Sequence, residues 1–217
     1  MLTFSHRGYH AQFTENTLEA FEAAVAMGVD GIETDVRLSR DGQLVLLHER
    51  VTPQGYLVKD LTHSELETYL GYAIPTLAQA LKTWTDMRWN IELKTGAVLE
   101  GVVQLLRQFS DRERFLVTSF DHHLVRRCAE SLEVPTGILM YSYPLNPSQF
   151  FAEITRCPAQ MRSIVWGYEL LDQDLITQAV AQGLDNWVFD VHTVEEHQLC
   201  KNTALVGVIT DYPQFSR

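Results

Sequence analysis

The sequence has no long apolar run. Its 217 residues contain no stretch near the roughly 18–20 uninterrupted apolar residues that a membrane-spanning helix requires. The opening residues, MLTFSHRG, also lack the basic start and the apolar centre of a secretory signal peptide. We therefore expect no transmembrane segment and no secretory leader.

Positive charge is scarce. The chain has 17 Lys and Arg residues against 28 Asp and Glu residues, which gives a formal net charge of −11. Proteins that bind nucleic acids do so mainly through clustered Lys and Arg, so this balance argues against a nucleic-acid partner. It does not exclude a small phosphorylated substrate, because a few basic residues or a cation can act locally.

Cysteine is rare and unpaired. Cys128, Cys157 and Cys200 are odd in number, lie far apart and form no CxxC pair. This usage predicts free thiols and a location in the reducing cytoplasm. The sequence carries no signal for an oligomeric state.

Several enzyme signatures are missing. The sequence has no Gly-rich dinucleotide fingerprint, no GxSxG elbow and no Cys–His signature of acyl-transfer enzymes.

A hydrophobic content of 46% is ordinary for a packed domain. The length lies near the lower end for a barrel of eight βα units.

The sequence alternates between short strand-like runs and amphipathic helical segments. The nine strand candidates are residues 2–5, 31–38, 43–48, 89–94, 115–119, 136–141, 163–166, 186–190 and 206–210. The main helical candidates are residues 15–27, 76–85, 97–108, 122–131, 147–155, 172–182 and 194–201. Repeated βα units predict parallel strands with helices outside them. We interpret residues 1–217 as one α/β domain, a (β/α)8 TIM barrel.

Two stretches depart from this alternation. The link 39–42 is too short for a parallel crossover, which needs about a dozen residues. The chain therefore turns back there as a hairpin, or the two runs form one bent strand. Residues 49–72 contain the breakers Pro53, Gly55 and Gly71 and a short helical pattern at 64–70. We interpret them as a short cap-like insertion over the active-site mouth.

Ionisable residues gather at the ends of the first four strand candidates, where barrel enzymes hold their active sites. The seven residues are His6, Arg7, Glu33, Asp35, His48, Glu92 and Lys94. Residues two apart on a strand share a face, which applies to Glu33 and Asp35. Because the other face of these strands is apolar, the polar side chains are expected to point into the barrel mouth.

Three carboxylates in one mouth repel each other unless they are protonated or bridged by a cation. Oxygen ligands suit Mg²⁺ or Ca²⁺ better than zinc, so we expect one such cation on Glu33, Asp35 and Glu92. With Arg7 and Lys94 beside them, these residues describe a phosphate-handling site. Two histidines can supply a general acid and a general base, which favours phosphodiester cleavage over acyl transfer.

These residues occur in a pattern that resembles the glycerophosphodiester phosphodiesterase family over nearly the whole chain. The matching segments are HRG at 6–8, ENT at 15–17, AF at 20–21, GVDGIETDV at 28–36, DG at 41–42, IPTL at 74–77, IELK at 91–94, SF at 119–120 and ITDYP at 209–213, together with His48 and Trp187.

The resemblance implies a metal-dependent barrel enzyme that hydrolyses glycerophosphodiesters to an alcohol and sn-glycerol 3-phosphate. By position, it implies metal ligands at Glu33, Asp35 and Glu92 and an acid/base pair at His6 and His48. The substrate-binding residues that it implies are Arg7, Lys94, Phe120 and Trp187. In a mechanism of the family type, a substrate hydroxyl attacks phosphorus and water then opens the cyclic intermediate. Which histidine is the acid and which is the base stays open.

The sequence departs from the family pattern at positions that bear on specificity. Glu49 stands where the pattern has Asp, Asp190 stands where it has Asn, and the segment after His48 is shortened. Two alternatives stay open. One is a lysophospholipase D-like enzyme that acts on longer-chain substrates. The other is a barrel that binds a phosphorylated ligand without catalysis.

Overall fold

A computed structural model describes residues 1–216, and its centre is a closed parallel barrel. The described strands are β1 (Leu2–His6), β2 (Gly31–Leu38), β3 (Leu44–Leu46), β4 (Arg88–Leu93), β5 (Phe115–Ser119), β6 (Thr136–Met140), β7 (Met161–Gly167), β8 (Asp185–Phe189) and β9 (Gly207–Thr210). All except β3 pair in parallel, and the barrel closes because β1 pairs with both β2 and β9. The predicted (β/α)8 barrel is confirmed.

Strand β3 accounts for the extra strand candidate. It pairs antiparallel to β2, with Val36 opposite Leu46 and Leu38 opposite Leu44. The short link therefore forms a hairpin, and the alternative of one bent strand is wrong. At the turn, the Ser39 hydroxyl donates a 2.6 Å hydrogen bond to Asp41 Oδ1. Gly42 supplies the left-handed conformation there, with φ of 80°.

The helices follow the strands as the periodicity predicts. The described helices are α1 (Leu18–Ala26), α2 (His63–Leu70), α3 (Leu77–Thr83), α4 (Leu99–Leu106), α5 (His122–Ser131), α6 (Pro147–Thr155), α7 (Gln173–Ala181) and α8 (Val194–Lys201). Helix α1 begins later than predicted because its cap is Thr17, whose side chain accepts a hydrogen bond from Ala20 N. Within residues 1–216, every helix is too short or too polar to cross a membrane.

The predicted insertion packs beside the barrel. It contains α2, and its Val58, Leu61 and Leu66 form one apolar cluster with Val45 and Leu47 at β3. The capping box of α2 is complete, since Thr62 and Glu65 exchange side-chain and backbone hydrogen bonds. Burial of this cluster ties the insertion to β3, and its role as a cap over the mouth stays a prediction.

The cysteines are free thiols, as predicted. Cys128 and Cys200 are buried, and Cys157 is partly exposed. Burial raises the pKa of the Cys128 thiol to about 12 and that of Cys200 to about 11. Both buried cysteines therefore act as small apolar core residues.

Two aromatic rings fill the barrel interior below its mouth. Phe4 and Trp187 meet edge to face with ring centroids 5.0 Å apart. They fit because two facing strand positions are glycines. A Cβ atom at Gly31 would lie 2.5 Å from Phe4 Cε1, and one at Gly207 would lie 2.4 Å from Trp187 Cζ3. The floor under the mouth is therefore closed by packing, with no room for added atoms.

We predict that Gly207→Ala lowers the free energy of unfolding by about 1–3 kcal/mol, the usual cost of overpacking a core. The added methyl group would overlap the Trp187 ring. Urea denaturation followed by circular dichroism measures the change. Gly96→Ala is the control, because a Cβ there meets no described atom within 4 Å. Equal effects of the two substitutions would contradict the packed floor.

Candidate active site

The carboxyl ends of the barrel strands surround one cavity of about 460 Å³, open mouth included. Its lining includes seven of the nine residues that the sequence singled out: His6, Arg7, Glu33, His48, Glu92, Lys94 and Phe120. Asp35 lies fully buried behind them. Trp187 is not among the lining residues, because it packs in the floor against Phe4. The structure therefore brings all of these residues except Trp187 together at the mouth.

The three acidic residues form a tight cluster. Strands β2 and β4 pair so that Asp35 lies opposite Glu92. Glu33 lies two residues before Asp35 on β2, on the same face of the strand. Each residue offers a carboxylate oxygen, and these oxygens lie within 4.8 Å of one another. The spacing of two residues on a strand and the parallel register together produce this convergence.

Two basic side chains are inserted into the cluster. Lys94 Nζ lies 2.6 Å from Glu92 Oε1 and 3.2 Å from Asp35 Oδ1. Arg7 Nε lies 3.1 Å from Asp35 Oδ2, while its Nη1 donates to Glu15 Oε2 at 2.9 Å. Burial alone would raise the pKa of Asp35, but Lys94 and Arg7 lower it below its ordinary value. Asp35 is therefore negatively charged and lies between the side chains of Lys94 and Arg7.

The negative charge of Glu33 is only partly offset by the residues around it. Its Oε1 is buried and has no hydrogen-bond partner among residues 1–216. Burial, and then the charges of Asp35 and Glu92, raise the pKa of Glu33 well above its ordinary value. The charge of the three carboxylates is offset by only two basic side chains, and one of these, Arg7, also pairs with Glu15. The residues present therefore fit a hard divalent cation, which would supply the missing positive charge to oxygen ligands.

His6 is held from behind by a carboxylate. Its Nδ1 lies 2.6 Å from Asp211 Oδ1, and its Nε2 lies 3.7 Å from Glu33 Oε2. His10 Nε2 contacts the same Asp211 oxygen at 2.9 Å. Burial opposes the charge of Asp211, but hydrogen bonds from His10 and His6 hold its pKa far below its ordinary value. A charged Asp211 accepts the Nδ1 proton of His6, which leaves Nε2 directed at the cluster.

His48 is held more loosely. Its Nδ1 lies 2.9 Å from Glu49 Oε1, and the Glu49 side chain is 72% exposed. Arg37 fixes the backbone instead, because its Nε donates a 2.8 Å hydrogen bond to the His48 carbonyl. The two histidines of the cavity therefore differ in the burial of their carboxylate partner, because Asp211 is 25% exposed and Glu49 is 72% exposed.

Asn16 is a site residue that sequence analysis missed. Its backbone is left-handed, with φ of 57°, and its amide is buried in the barrel. The Oδ1 atom accepts from Thr34 Oγ1 at 2.7 Å, and Nδ2 donates to Asp35 Oδ2 at 2.9 Å. The Glu-Asn-Thr segment therefore orients the Asp35 carboxylate, a contact that the helical pattern at 15–27 does not indicate.

Asn90 was also missed. It lies two residues before Glu92 on the same strand face, which is the signal that could have identified it. Its Oδ1 accepts from Thr118 Oγ1 at 2.7 Å. Asn90 lines the cavity, and its Nδ2 is buried and has no hydrogen-bond partner within the described chain. Asn90 is therefore, besides Glu33, a further buried polar group at the site that lacks a hydrogen-bond partner in residues 1–216.

An aromatic wall, formed by Phe120, Tyr141 and Phe189, borders the same cavity. The Phe120 and Tyr141 rings stack with centroids 4.7 Å apart, and Phe189 meets Tyr141 edge-on at 4.9 Å. Phe120 was predicted to bind substrate, and Phe189 takes the position at the mouth that was expected of Trp187. Asp190 follows Phe189 and also lines the cavity.

Comparisons with known proteins agree on one family. Residues 6–215 match the model of the glycerophosphoryl diester phosphodiesterase family. A glycerophosphodiester phosphodiesterase of Bacillus altitudinis is 31% identical, covering 97% of this chain and 94% of its own. The crystal structure of a glycerophosphodiester phosphodiesterase from Thermotoga maritima has a TM-score of 0.89 and 25% identity, covering 100% of this chain and 96% of its own.

A further similar structure is that of an Oleispira antarctica phosphodiesterase in complex with the product sn-glycerol-3-phosphate. It has a TM-score of 0.85 and 24% identity, and the match covers 99% of this chain and 94% of that chain. At this identity, the likeness supports the barrel fold.

We predict that Glu33→Gln stabilises the cation-free protein at pH 7, because it removes a buried charge that Asp35 and Glu92 repel. Folding raises the pKa of Glu33 above its ordinary value of 4.5, so the folded state binds this proton more tightly. Stability must then fall as pH rises from about 4.5 through the folded-state pKa. The advantage of the variant should therefore shrink as the pH is lowered towards 4.5.

Urea denaturation in excess chelator at several pH values measures this difference. Glu113→Gln removes an exposed glutamate of the same type and serves as the control. A variant that is less stable than the parent at pH 7, or a gain that persists at pH 4.5, would contradict an uncompensated Glu33.

Proposed function

This chain belongs to the glycerophosphoryl diester phosphodiesterase family, whose members are phosphoric diester hydrolases, and from this we propose the reaction and its residues. The proposed reaction converts a glycerophosphodiester to sn-glycerol 3-phosphate and an alcohol in the cavity at the barrel mouth. The observation that carries the proposal is the under-compensated carboxylate cluster beside two histidines. The complex of the Oleispira antarctica phosphodiesterase with sn-glycerol-3-phosphate supports this choice of product.

We assign Glu33, Asp35 and Glu92 to one divalent cation, Mg²⁺ or Ca²⁺. When bound, such a cation stabilises the charge that builds on the phosphoryl oxygens, as a Lewis acid does. The support is the buried Oε1 of Glu33, which lacks a partner in residues 1–216, and the hard oxygen character of the three donors.

Arg7 and Lys94 are the proposed phosphate-binding residues. Burial would lower the pKa of Lys94, but Asp35 and Glu92 raise it above its ordinary value. The pKa of Arg7 is likewise raised, against the effect of burial, by Asp35, Glu33 and Glu15. Both side chains therefore remain positive at neutral pH and offer donors to an anionic phosphodiester.

We assign the general base to His6 and the general acid to His48. Asp211 holds the Nδ1 proton of His6, so Nε2 is free to take the proton of the attacking glycerol hydroxyl. The new O–P bond forms as the bond from phosphorus to the alcohol oxygen breaks. His48 gives its proton to that oxygen, and water then opens the cyclic phosphate with the two roles reversed.

We predict that His6→Ala and His48→Ala each lower kcat for glycerophosphocholine by about 10²–10⁴-fold, the usual contribution of a general acid or base. His123→Ala is the matched control, because His123 is exposed on α5, and it should keep the parent rate. Steady-state release of sn-glycerol 3-phosphate measures kcat. Unchanged turnover in His48→Ala would contradict its role as general acid. No release of sn-glycerol 3-phosphate by the parent protein would instead support the non-catalytic binding barrel.

We also predict that hydrolysis stops in excess chelator and returns when Mg²⁺ or Ca²⁺ is added back. The physical reason is that the acidic cluster repels an anionic diester until a cation offsets its charge. Choline and sn-glycerol 3-phosphate should appear in equal amounts when glycerophosphocholine is the substrate. Full activity in excess chelator would rule out the assigned cation.

A lysophospholipase D-like activity is the second candidate. The loop after β6 exposes Tyr143 and Leu145, two and four residues after Tyr141 of the aromatic wall, and an acyl chain needs such an apolar surface. Choline release from a lysophosphatidylcholine is compared with release of sn-glycerol 3-phosphate from glycerophosphocholine. A higher kcat/KM on the lysolipid would favour the second candidate over the first.

For both candidates, the proposed partner is a small phosphodiester and not a nucleic acid, in keeping with the net charge of −11. The free thiols support the proposed location in a reducing compartment such as the cytoplasm.

A further inference from the structure

We propose that the mouth of the barrel contains a cation subsite, formed by Asp190 and the aromatic wall, that selects diesters whose alcohol group carries an ammonium charge. The inference rests on the proposed function, because it assigns the alcohol half of the substrate. Choline and ethanolamine are alcohols of this class.

The aromatic wall leaves large ring surfaces open to the solvent. Phe120 is 40% exposed and Tyr141 is 66% exposed, although both rings border the cavity. Their planes differ by 2°, and Phe189 stands edge-on to both, at 79° and 81°. Aromatic ring faces attract ammonium groups, and aromatic cages are a common way to bind quaternary ammonium ligands.

The backbone turns so that a carboxylate joins this wall. Successive residues of an extended strand point to opposite sides, yet Phe189 and Asp190 both line the cavity. Asp190 achieves this with a left-handed backbone, φ of 61°. Asp and Asn tolerate this conformation better than most residues. A side chain that would otherwise leave the barrel interior therefore faces the substrate space.

The charge of Asp190 has no partner in the described chain. Glu92 pairs with Lys94, and Asp211 pairs with His6 and His10. For Asp190, in contrast, residues 1–216 place no basic nitrogen within 4.0 Å and no side-chain hydrogen bond. A carboxylate beside exposed rings and without a cation of its own is the complement of an ammonium group.

The two ends of the proposed substrate fit one cavity. Burial, and then the charges of Asp190 and Glu92, raise the pKa of Tyr141, while Lys94 and Arg7 oppose the rise. Tyr141 and Asp190 line the same cavity as Arg7 and Lys94, so the proposed cation subsite and the phosphate-binding residues share one space. A choline ester carries its charges in the same order, with a phosphate at one end and an ammonium group two carbons from the ester oxygen.

The test compares glycerophosphocholine with its neutral isostere, the 3,3-dimethylbutyl ester, in which carbon replaces nitrogen. We expect kcat/KM to be at least about tenfold higher for the choline ester, since the aromatic ring faces and the unpaired Asp190 carboxylate both attract its ammonium group. Asp190→Asn keeps the size and the left-handed tendency of the residue, and it should lower this ratio at least fivefold. Asp185→Asn removes the same charge at the opposite, exposed end of β8 and should leave the ratio unchanged.

A ratio near one in the parent protein would overturn the cation subsite. An equal loss on both substrates in Asp190→Asn would overturn it as well, because a structural role predicts that result. Tyr141→Leu supplies a second variant that keeps the apolar surface and removes the ring face, and it should lower the ratio too.

If the parent hydrolyses neither ester in the presence of Mg²⁺ or Ca²⁺, the proposed function fails and the subsite is judged by binding. Calorimetric titration then compares phosphocholine with 3,3-dimethylbutyl phosphate. Tighter binding of phosphocholine that is lost in Asp190→Asn supports the subsite, and equal binding of the two ligands overturns it.

Discussion

The site depends on one electrostatic imbalance. Glu33, Asp35 and Glu92 converge within 4.8 Å at the ends of two neighbouring strands, where Arg7 and Lys94 neutralise only part of their charge. Burial makes this deficit costly, because a buried carboxylate without a partner destabilises the folded state. The proposed cation and the proposed phosphate-binding roles of Arg7 and Lys94 both follow from how this charge is offset.

The packed interior of the barrel keeps the acidic cluster in a fixed position. Phe4 and Trp187 fill the interior below the mouth, and Gly31 and Gly207 leave room for them. Such a floor prevents the acidic cluster from relaxing inward. Asn16 restrains Asp35 from behind by two hydrogen bonds. The mouth is therefore a preorganised surface on which charges cannot easily rearrange, as electrostatic stabilisation of a transition state requires.

Much of this arrangement could be predicted from the sequence, because it follows from strand periodicity and parallel register. The spacing of Glu33 and Asp35 indicated one shared face, and the cluster forms where the strands end. Other features needed three-dimensional information. Trp187 and Phe189 lie two residues apart on β8 and share one face of the strand. The sequence pattern alone therefore does not indicate which of them lines the mouth and which fills the floor. Asp211 is 205 residues from His6 in the chain, and their contact depends on closure of the barrel. The left-handed conformations of Asn16 and Asp190 likewise have no periodic signature.

The central claim is that the carboxylate cluster holds a divalent cation, and direct binding tests it without reference to turnover. Protein stripped with chelator is titrated with Mg²⁺ and with Ca²⁺ in a calorimeter, and Glu92→Gln is titrated in parallel. The account predicts one site per chain in the parent protein and a sharply weaker site in the variant. The absence of saturable binding in the parent, or equal affinity in Glu92→Gln, would contradict it.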